Sequence, residues 1–470
     1  MKEYTFENCN GSVSLLELLR EEGAAVSAEC GGRGTCGKCI VYLNEEQVRA
    51  CSVFPRGKIK VTVPETQKVI VAEGLSPETE KNGSEKNFRH ADYAVCVDLG
   101  TTTIAGALVD INTKSVISQT TGVNSQRIYG ADVITRLEAC ENGRREELKN
   151  AVRRDMDKIK RELLKDTAAE NTDVPVYIAG NTVMTHIFAG KETAGLARAP
   201  YIPADTGFIR TDGCILLPAV SAFVGGDVLI GMIASGAFDT EEVTVFIDIG
   251  TNGEMAAGNR DRIYAAGTAA GPALEGGRIS CGGPARIGAV SAVDMAGRLV
   301  DVKTIGNGRP ECICGSGIIE GVYELLKNGI IDVNGNMSDE YGSVFRLCQN
   351  VDITQDDIRQ VQLAKGAVRA GLETLLDVSG FSSSDVKKVY VAGGFGRNLN
   401  IRKACGIGLI NPEFADRTVL PGNTSLLGAV KYACGDITDR MIEDMKEKIS
   451  VINLADSDKF SEAFIRCMNF

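Results

Sequence analysis

A chain of 470 residues, 44% apolar and 24% charged, is too long for one typical domain and suggests two to four, each able to bury its own core. Its net charge of −11 gives nucleic-acid binding no electrostatic support. Neither a signal-like N-terminus nor an apolar run long enough to span a bilayer is visible, so a soluble, cytoplasmic protein without membrane contact is expected.

Residues 2–6 alternate in the manner of a strand, and Ser14 to Arg20 has the periodicity of a short helix stopped by Gly23. Next come Cys30, Cys36 and Cys39 on one glycine-rich loop and Cys51 beyond it, spaced C-x5-C-x2-C-x11-C. Thiolates so placed can surround a soft metal centre, and the glycines let backbone N–H groups point at anionic sulfur. Zinc competes, because four cysteines also make a tetrahedral site, but zinc sites usually pair two short knuckles whereas three ligands here share one loop. An iron–sulfur cluster is therefore favoured. With fifteen cysteines and no export signal, a reducing compartment is expected, and the other eleven read as small buried apolar side chains. Two histidines leave little material for a histidine metal site or a triad hydrolase. Strands at 39–43 and 58–63 close the unit. Strand, helix, cysteine loop and strands in this order resemble the β-grasp ferredoxins of the two-iron, two-sulfur type. One inter-ligand gap is longer by one than in the plant-type spacing, and the gap to the fourth ligand is short.

From about Gly74 to His90 the periodicity is lost among polar and turn residues, which reads as a flexible linker that lets a small electron-carrying head move. An apolar strand then runs into Asp98, a Gly100-Thr101-Thr102 turn and a second apolar strand. The pattern returns 150 positions later with Asp248 and Gly250-Thr251-Asn252, so two related halves face each other. Such a turn offers N–H groups and hydroxyls to a phosphate, and the carboxylate ending each first strand can hold magnesium through water or orient an attacking water.

Between the repeats, Val176 to His186 passes from a buried strand through Gly180 into a helix start. Its counterpart in the second half is read as Cys312 to Leu326, with Gly315 and Ser316 at a helix N-terminus that must approach a ligand closely. A later strand, 388–392, breaks into Gly393-Gly394-Phe395-Gly396, suited to a purine or ribose lying against backbone. In this order the motifs resemble the sugar-kinase, heat-shock-70 and actin superfamily over roughly 92–434. The resemblance implies that Gly100 to Thr102 and Gly250 to Asn252 cradle the phosphates of ATP, with Gly315 and Ser316 also among the nucleotide-binding residues. It also implies that Asp98 and Asp248 serve Mg2+ or the attacking water, and that Gly393, Gly394 and Gly396 contact the adenosine.

Weaker stretches have plainer readings. Gly225-Gly226-Asp227 reads as an N-cap rather than a catalytic carboxylate, and the small-residue run 265–278 as a loop over the cleft. Its Glu275 and Arg278 read equally as phosphate or partner contacts and as solvated charges. Cys312 and Cys314 read as core cysteines. Thr354 with Asp357 forms a capping box for a long amphipathic helix, and 436–470 reads as helix, strand, helix.

The expected fold is α/β: a β-grasp ferredoxin domain (1–65), a linker (66–91) and a two-lobed ATPase whose halves are 92–240 and 241–470. This combination, with the phrases Ile-Asp-Ile-Gly-Thr-Asn-Gly-Glu (247–254), Ile-Cys-Gly-Ser-Gly-Ile-Ile-Glu (313–320) and Gln-Leu-Ala-Lys-Gly-Ala-Val-Arg-Ala-Gly (362–371), resembles the reductive activators of corrinoid proteins. The resemblance implies a 2Fe-2S cluster on the four cysteines, ATP with Mg2+, a low-potential electron donor, and a corrinoid protein of a methyltransferase system as partner. Its activity would return inactive cobalt(II) corrinoid to cobalt(I) with ATP hydrolysis. It allows a homodimer, although the near absence of a spacer before Asp98 suggests that the dimerising middle domain of some relatives is reduced or merged. Two alternatives stand beside this: an activator of another reductase, such as a 2-hydroxyacyl-CoA dehydratase, and a non-catalytic ATP-binding redox sensor.

Overall fold

A computed structural model describes residues 1–24, 26–28, 30–64, 92–394, 398–454 and 457–470. The predicted linker and Gly396 lie outside the described residues. The head comprises β1 (Lys2–Asn10), α1 (Leu15–Glu21), β2 (Ile40–Leu43), β3 (Glu46–Arg49) and β4 (Arg56–Val63), with sheet order β1-β4-β2-β3. Helix α1 starts where Ser14 accepts a hydrogen bond from the Glu17 N–H, and it buries Leu15, Leu16 and Leu19. The polar edge strand β3 was not anticipated, because Glu-Gln-Val-Arg carries no apolar alternation.

The first lobe contains β5 (Tyr93–Leu99), β6 (Thr103–Asp110), β7 (Ser115–Val123), α2 (Val133–Ala139), α3 (Arg145–Leu164), β8 (Val176–Gly180), α4 (Thr182–Ala189), α5 (Ala194–Ala197), β9 (Ile209–Thr211), β10 (Cys214–Leu216) and α6 (Gly226–Ser235). The second opens with β11 (Val243–Ile249), β12 (Gly253–Gly258), β13 (Ile263–Thr268), β14 (Ala289–Ala296), β15 (Leu299–Thr304), β16 (Cys312–Ile313), α7 (Gly315–Lys327), β17 (Val344–Cys348), β18 (Val351–Thr354) and α8 (Gln355–Ser379). It continues with β19 (Val386–Gly393), α9 (Ile401–Gly406), β20 (Thr418–Gly422), α10 (Thr424–Ala433), α11 (Asp439–Lys448), β21 (Ile449–Val451) and α12 (Asp458–Cys467). The last three elements match the expected helix, strand, helix. Thr354 and Asp357 exchange the hydrogen bonds of the expected capping box, at 3.1 and 2.9 Å.

The duplication is visible in the sheets. The first lobe is ordered β7-β6-β5-β8-β10-β9 and the second, read from its other edge, β21-β13-β12-β11-β19-β20, so both share a run of the third, second and first strands followed by the next strand of the sheet. In each, the central strand pairs antiparallel with its hairpin partner and parallel with the next strand, and both faces are covered, which is why β5 and β11 read as continuous apolar runs.

The register corrects one expectation. Leu99 stands opposite Gly180 on β8, and Ile249 opposite Gly393 on β19. The counterpart of Val176–Gly180 is therefore β19, not Cys312–Leu326. Cys312–Ile313 instead edges a separate small sheet, β15-β14-β16. Similar composition around a helix start had concealed a different place in the sheet.

An apolar core between the lobes joins Ala94, Cys96 and Ala107 of the first sheet to Phe246, Ala256 and Ala265 of the second through α6 and α10. A second core runs without a break from Leu15, Leu16, Leu19 and Val61 of the head into Val97, Tyr129, Leu137 and Met156 of the first lobe. The head is thus docked rather than free on a tether. Buried Arg20 donates from Nε to the Ile128 carbonyl at 3.1 Å and from Nη2 to the Gly31 carbonyl at 3.0 Å, with its guanidinium 5.0 Å from the Tyr129 ring centre. Arg144 and Glu17 add a half-buried ion pair at 2.8 Å. Substituting Arg20→Met should leave the Ile128 carbonyl without this donor. We expect a loss of about 1–3 kcal/mol in head docking, read as faster amide exchange in α1 with exchange in β11 unchanged.

Candidate functional site

The two Asp-x-Gly-Thr turns meet at the bottom of a cleft of about 440 Å³ between the lobes. Asp98 and Asp248 occupy equivalent places, opposite Ala179 on β8 and Ala392 on β19. The Thr102 and Thr251 hydroxyls are 3.1 Å apart and both donate to Glu275, Thr102 at 3.0 Å. Asn181 donates to the Thr101 hydroxyl at 3.0 Å. Gly100 and Gly393 are required by close approach: a Cβ on Gly100 would meet the Thr103 carbonyl at 2.5 Å, and on Gly393 (φ +105°) the Asp248 carboxylate at 2.6 Å. Gly250, Asn252, Gly315, Ser316 and Gly394 also line the cleft, so the structure brings together every described residue expected to hold nucleotide or magnesium.

Four acidic residues are added to that set. Among the described residues Asp227, Glu254, Glu275 and Glu320 line the same wall, whereas no lysine or arginine does. Glu254 pairs across the hairpin with Asp248, which puts both carboxylates on one face. Burial, then the charges of Asp227, Asp98 and Glu275, pushes the Asp248 carboxyl well above its ordinary range. Burial, with Asp227 and Asp248, does the same to Glu254. Asp227 is pushed to about 7 by burial and by Asp98. Asp98 is also raised by burial, but Ser425 at 2.8 Å and Asn423 at 2.9 Å donate to its two oxygens and favour its charged form.

These positions revise three expectations. Asp227 is not an N-cap: Gly225 holds that place without a side-chain bond, and the Asp227 carboxylate looks into the cleft. Residues 265–268 of the supposed loop belong to β13, and Glu275 is clasped by two hydroxyls rather than solvated. Arg278 pairs with Asp132 across the lobes at 3.2 Å. Cys312 and Cys314 are buried as expected, and Cys314 also reaches the cleft wall. Asn423 and Ser425 gave no local signal, since they meet Asp98 from over 300 residues away. Glu254 was within reach of reading, six residues after Asp248 on the returning strand.

In the head the thiols stand as two pairs, Cys30 with Cys36 and Cys39 with Cys51. Burial raises Cys30, but Cys36 and the N–H groups of Gly32 and Thr35 outweigh it and hold the thiol down at about 6. Burial pushes Cys39 up to about 11, although the Cys51 N–H points at its sulfur at 3.5 Å. Two pairs, with N–H groups aimed at sulfur, fit a two-iron cluster in which each iron takes two thiolates. Among the described residues no group of three or more His, Cys, Asp or Glu side chains is placed to hold one metal ion.

A small β-grasp unit with paired thiols, docked on a two-lobed body with facing phosphate turns, is a ferredoxin-like head on a body of the actin, heat-shock-70 and sugar-kinase fold. Family models follow one another along the chain: a 2Fe-2S iron–sulfur cluster binding domain over 1–63, the RACo middle region over 93–239, and the C-terminal ASKHA domain of RACo over 242–470. The chain belongs to the family of reductive activators of corrinoid proteins. It is 29% identical over 418 residues to the corrinoid activation enzyme RamQ of Eubacterium limosum, covering 79% of this chain and 69% of that one. It is 27% identical to the methylated-amine-specific Co(II) corrinoid protein reductase of Methanosarcina barkeri, covering 71% and 68%. A solved reductive activator for corrinoid, iron–sulfur protein superposes with a TM-score of 0.76 at 26% identity, covering 98% of this chain and 96% of that one. The middle-region model thus falls on the first of the two related lobes. Among the described residues no helix is long and apolar enough to cross a membrane.

The crowded carboxylates carry a pH prediction. A folded-state carboxyl raised to about 7 binds its proton in the native state where the unfolded chain has lost it, so stability falls as pH rises from about 4 to about 7. Replacing Asp227→Asn should remove that slope and raise the nucleotide-free melting midpoint at pH 8 by about 2–4 °C, with little change at pH 5, as thermal denaturation across pH would measure.

Proposed function

We propose that this protein is an ATP-dependent reductive activator that passes one electron from its head to the cobalt(II) corrinoid of a methyltransferase corrinoid protein, returning it to cobalt(I). The observation that carries the reading is the docking of the paired thiols onto a body whose two phosphate turns face each other across a cleft. We take 1–65 as the head, 66–91 as the linker and 92–240 and 241–470 as the two ATPase halves. The names of the relatives support the corrinoid partner.

A 2Fe-2S cluster held by Cys30, Cys36, Cys39 and Cys51 would supply single electrons and be refilled by a low-potential donor. A one-electron reduction lying 100 mV uphill is disfavoured about 50-fold, which gives the ATP-binding body its purpose. Gly100 to Thr102 and Gly250 to Asn252 offer N–H groups and hydroxyls to the nucleotide phosphates, with Gly315 and Ser316 at the helix N-terminus beside them. Gly393 and Gly394 leave room for the adenosine, and Gly396 continues that run in sequence. Magnesium usually takes one or two carboxylates, water and phosphate oxygens. Asp98 suits that role because Ser425 and Asn423 favour its anion. Asp248, whose raised carboxyl faces the same space, suits orientation of the attacking water, for which it must first lose its proton.

The test is to mix the reduced protein with a cobalt(II) corrinoid protein and follow the visible spectrum. An ATP-stimulated cobalt(I) band is expected, and its absence with any plausible partner would sink the reading. Replacing Cys36→Ser should abolish that band while leaving nucleotide binding, measured by calorimetry, intact.

A further inference from the structure

The head touches both lobes, and it does so by different means. On the first lobe it is held by the shared core and by buried Arg20, which bonds the Ile128 carbonyl of the lobe and the Gly31 carbonyl beside Cys30. The lobe side of that contact is cross-linked by a buried side chain. Fully buried Arg136 donates to the Gly130 carbonyl at 3.0 Å, to the Gln126 amide oxygen at 3.1 Å and to the Thr101 carbonyl in the first phosphate turn at 2.6 Å.

The second lobe is reached, among the described residues, by a side-chain hydrogen bond from the cysteine loop. Lys38, between Cys36 and Cys39, donates to the Ile279 carbonyl at 2.7 Å. Ile279 lies four residues past Glu275, the carboxylate that holds the hydroxyls of both phosphate turns. The segment is pinned at its far end, where the Ser280 N–H and hydroxyl donate to Asp357 at 2.6 and 3.0 Å. Arg278 reaches across to Asp132 of the first lobe. One short stretch therefore connects the phosphate turns, the lobe boundary and the loop that carries three of the four cysteines.

We propose that Lys38 and Glu275 are positioning residues that make the surroundings of the cysteine loop depend on what fills the phosphate turns. The inference rests on the ATP reading above and adds the route by which nucleotide reaches the electron carrier. A phosphate group bound between Thr102 and Thr251 competes with the Glu275 carboxylate for the same two hydroxyls, and like charge drives the two apart. Displacing Glu275 shifts the Ile279 carbonyl against a head anchored on the other lobe, and Lys38 passes that shift to the segment between Cys36 and Cys39. The Arg20 anchor makes this possible: a head free on its linker would follow the second lobe and feel nothing.

The test uses the full chain with its cluster, with and without Mg2+ and the non-hydrolysable analogue AMP-PNP. Three quantities are read: nucleotide affinity by calorimetry, the visible circular dichroism of the cluster, and amide exchange over 30–39. In the unaltered protein nucleotide should change both the dichroism and the exchange. Lys38→Met should bind nucleotide with unchanged affinity and lose both changes, and Lys38→Arg, which keeps a donor, should restore them. Glu275→Ala, remote from the cysteines, should lose them as well. Amide exchange remains readable if Lys38→Met lowers the iron content. Equal changes in Lys38→Met or Glu275→Ala, or nucleotide binding without any change in the unaltered protein, would overturn the route and leave the ATP reading standing. A failure of the unaltered protein to bind nucleotide would remove both.

Discussion

Five carboxylates share one cleft without an ion-pair partner among the described residues, and much of the architecture serves to hold them there. Asp98, Asp227, Asp248, Glu254 and Glu275 come from five separate segments, and Glu320 on the same wall is the one paired with a cation, Lys403. Left in water these groups would repel one another and separate. They stay together because α6 and α10 bury an apolar core between the two sheets and bring the hairpin turns to a common floor. A crowd of raised carboxyls is a store of unfavourable charge that a divalent cation relieves. The same geometry therefore makes the nucleotide-free cleft electrostatically uncomfortable and receptive.

The carboxylates are not equivalent. Ser425 and Asn423 satisfy both oxygens of Asp98, whereas among the described residues the charges acting on buried Asp248 are those of Asp227, Asp98 and Glu275. Duplication of the strand-turn-strand produced two similar residues, and the α10 N-terminus, which packs against only one of them, makes their environments differ. A similar division holds in the head: N–H groups converge on Cys30 and depress its thiol, while burial dominates at Cys39. In both places symmetry of sequence is broken by what the rest of the fold lays beside it.

The docking of the head changes the meaning of the modular sequence. A carrier swinging on a linker would require only that both modules be on one chain. A carrier whose core runs into the first lobe, with Arg20 buried at the junction and Lys38 reaching the second, stands across the boundary between the lobes. In that position, relative motion of the lobes would act on the cysteine loop directly, as proposed above.

Much of this was legible in the sequence because it is local. The cysteine spacing, the Gly-Thr turns, the capping box of α8 and the apolar runs of β5 and β11 are each set by residues within a few positions of one another, where backbone sterics and periodicity dominate. The two-lobed class followed from the repeat. What local pattern does not carry is which segments become neighbours. Cys312 to Leu326 resembles Val176 to His186 in composition, yet β19 takes the matching place in the sheet, because parallel pairing is decided by the whole crossover. Asp227 looked like a cap, and Glu275 read equally as a ligand contact and as a solvated charge, since the same residue types serve either use and only the packing of α6 and of the second lobe turned them inward. Asn423 and Ser425 reach Asp98, and Arg20 reaches Ile128, across separations in sequence that no period records. The sequence by itself determined the modules and the residues at the tips of their loops. The tertiary structure alone decided which carboxylates share one charge environment and where the head rests, because both depend on long-range burial.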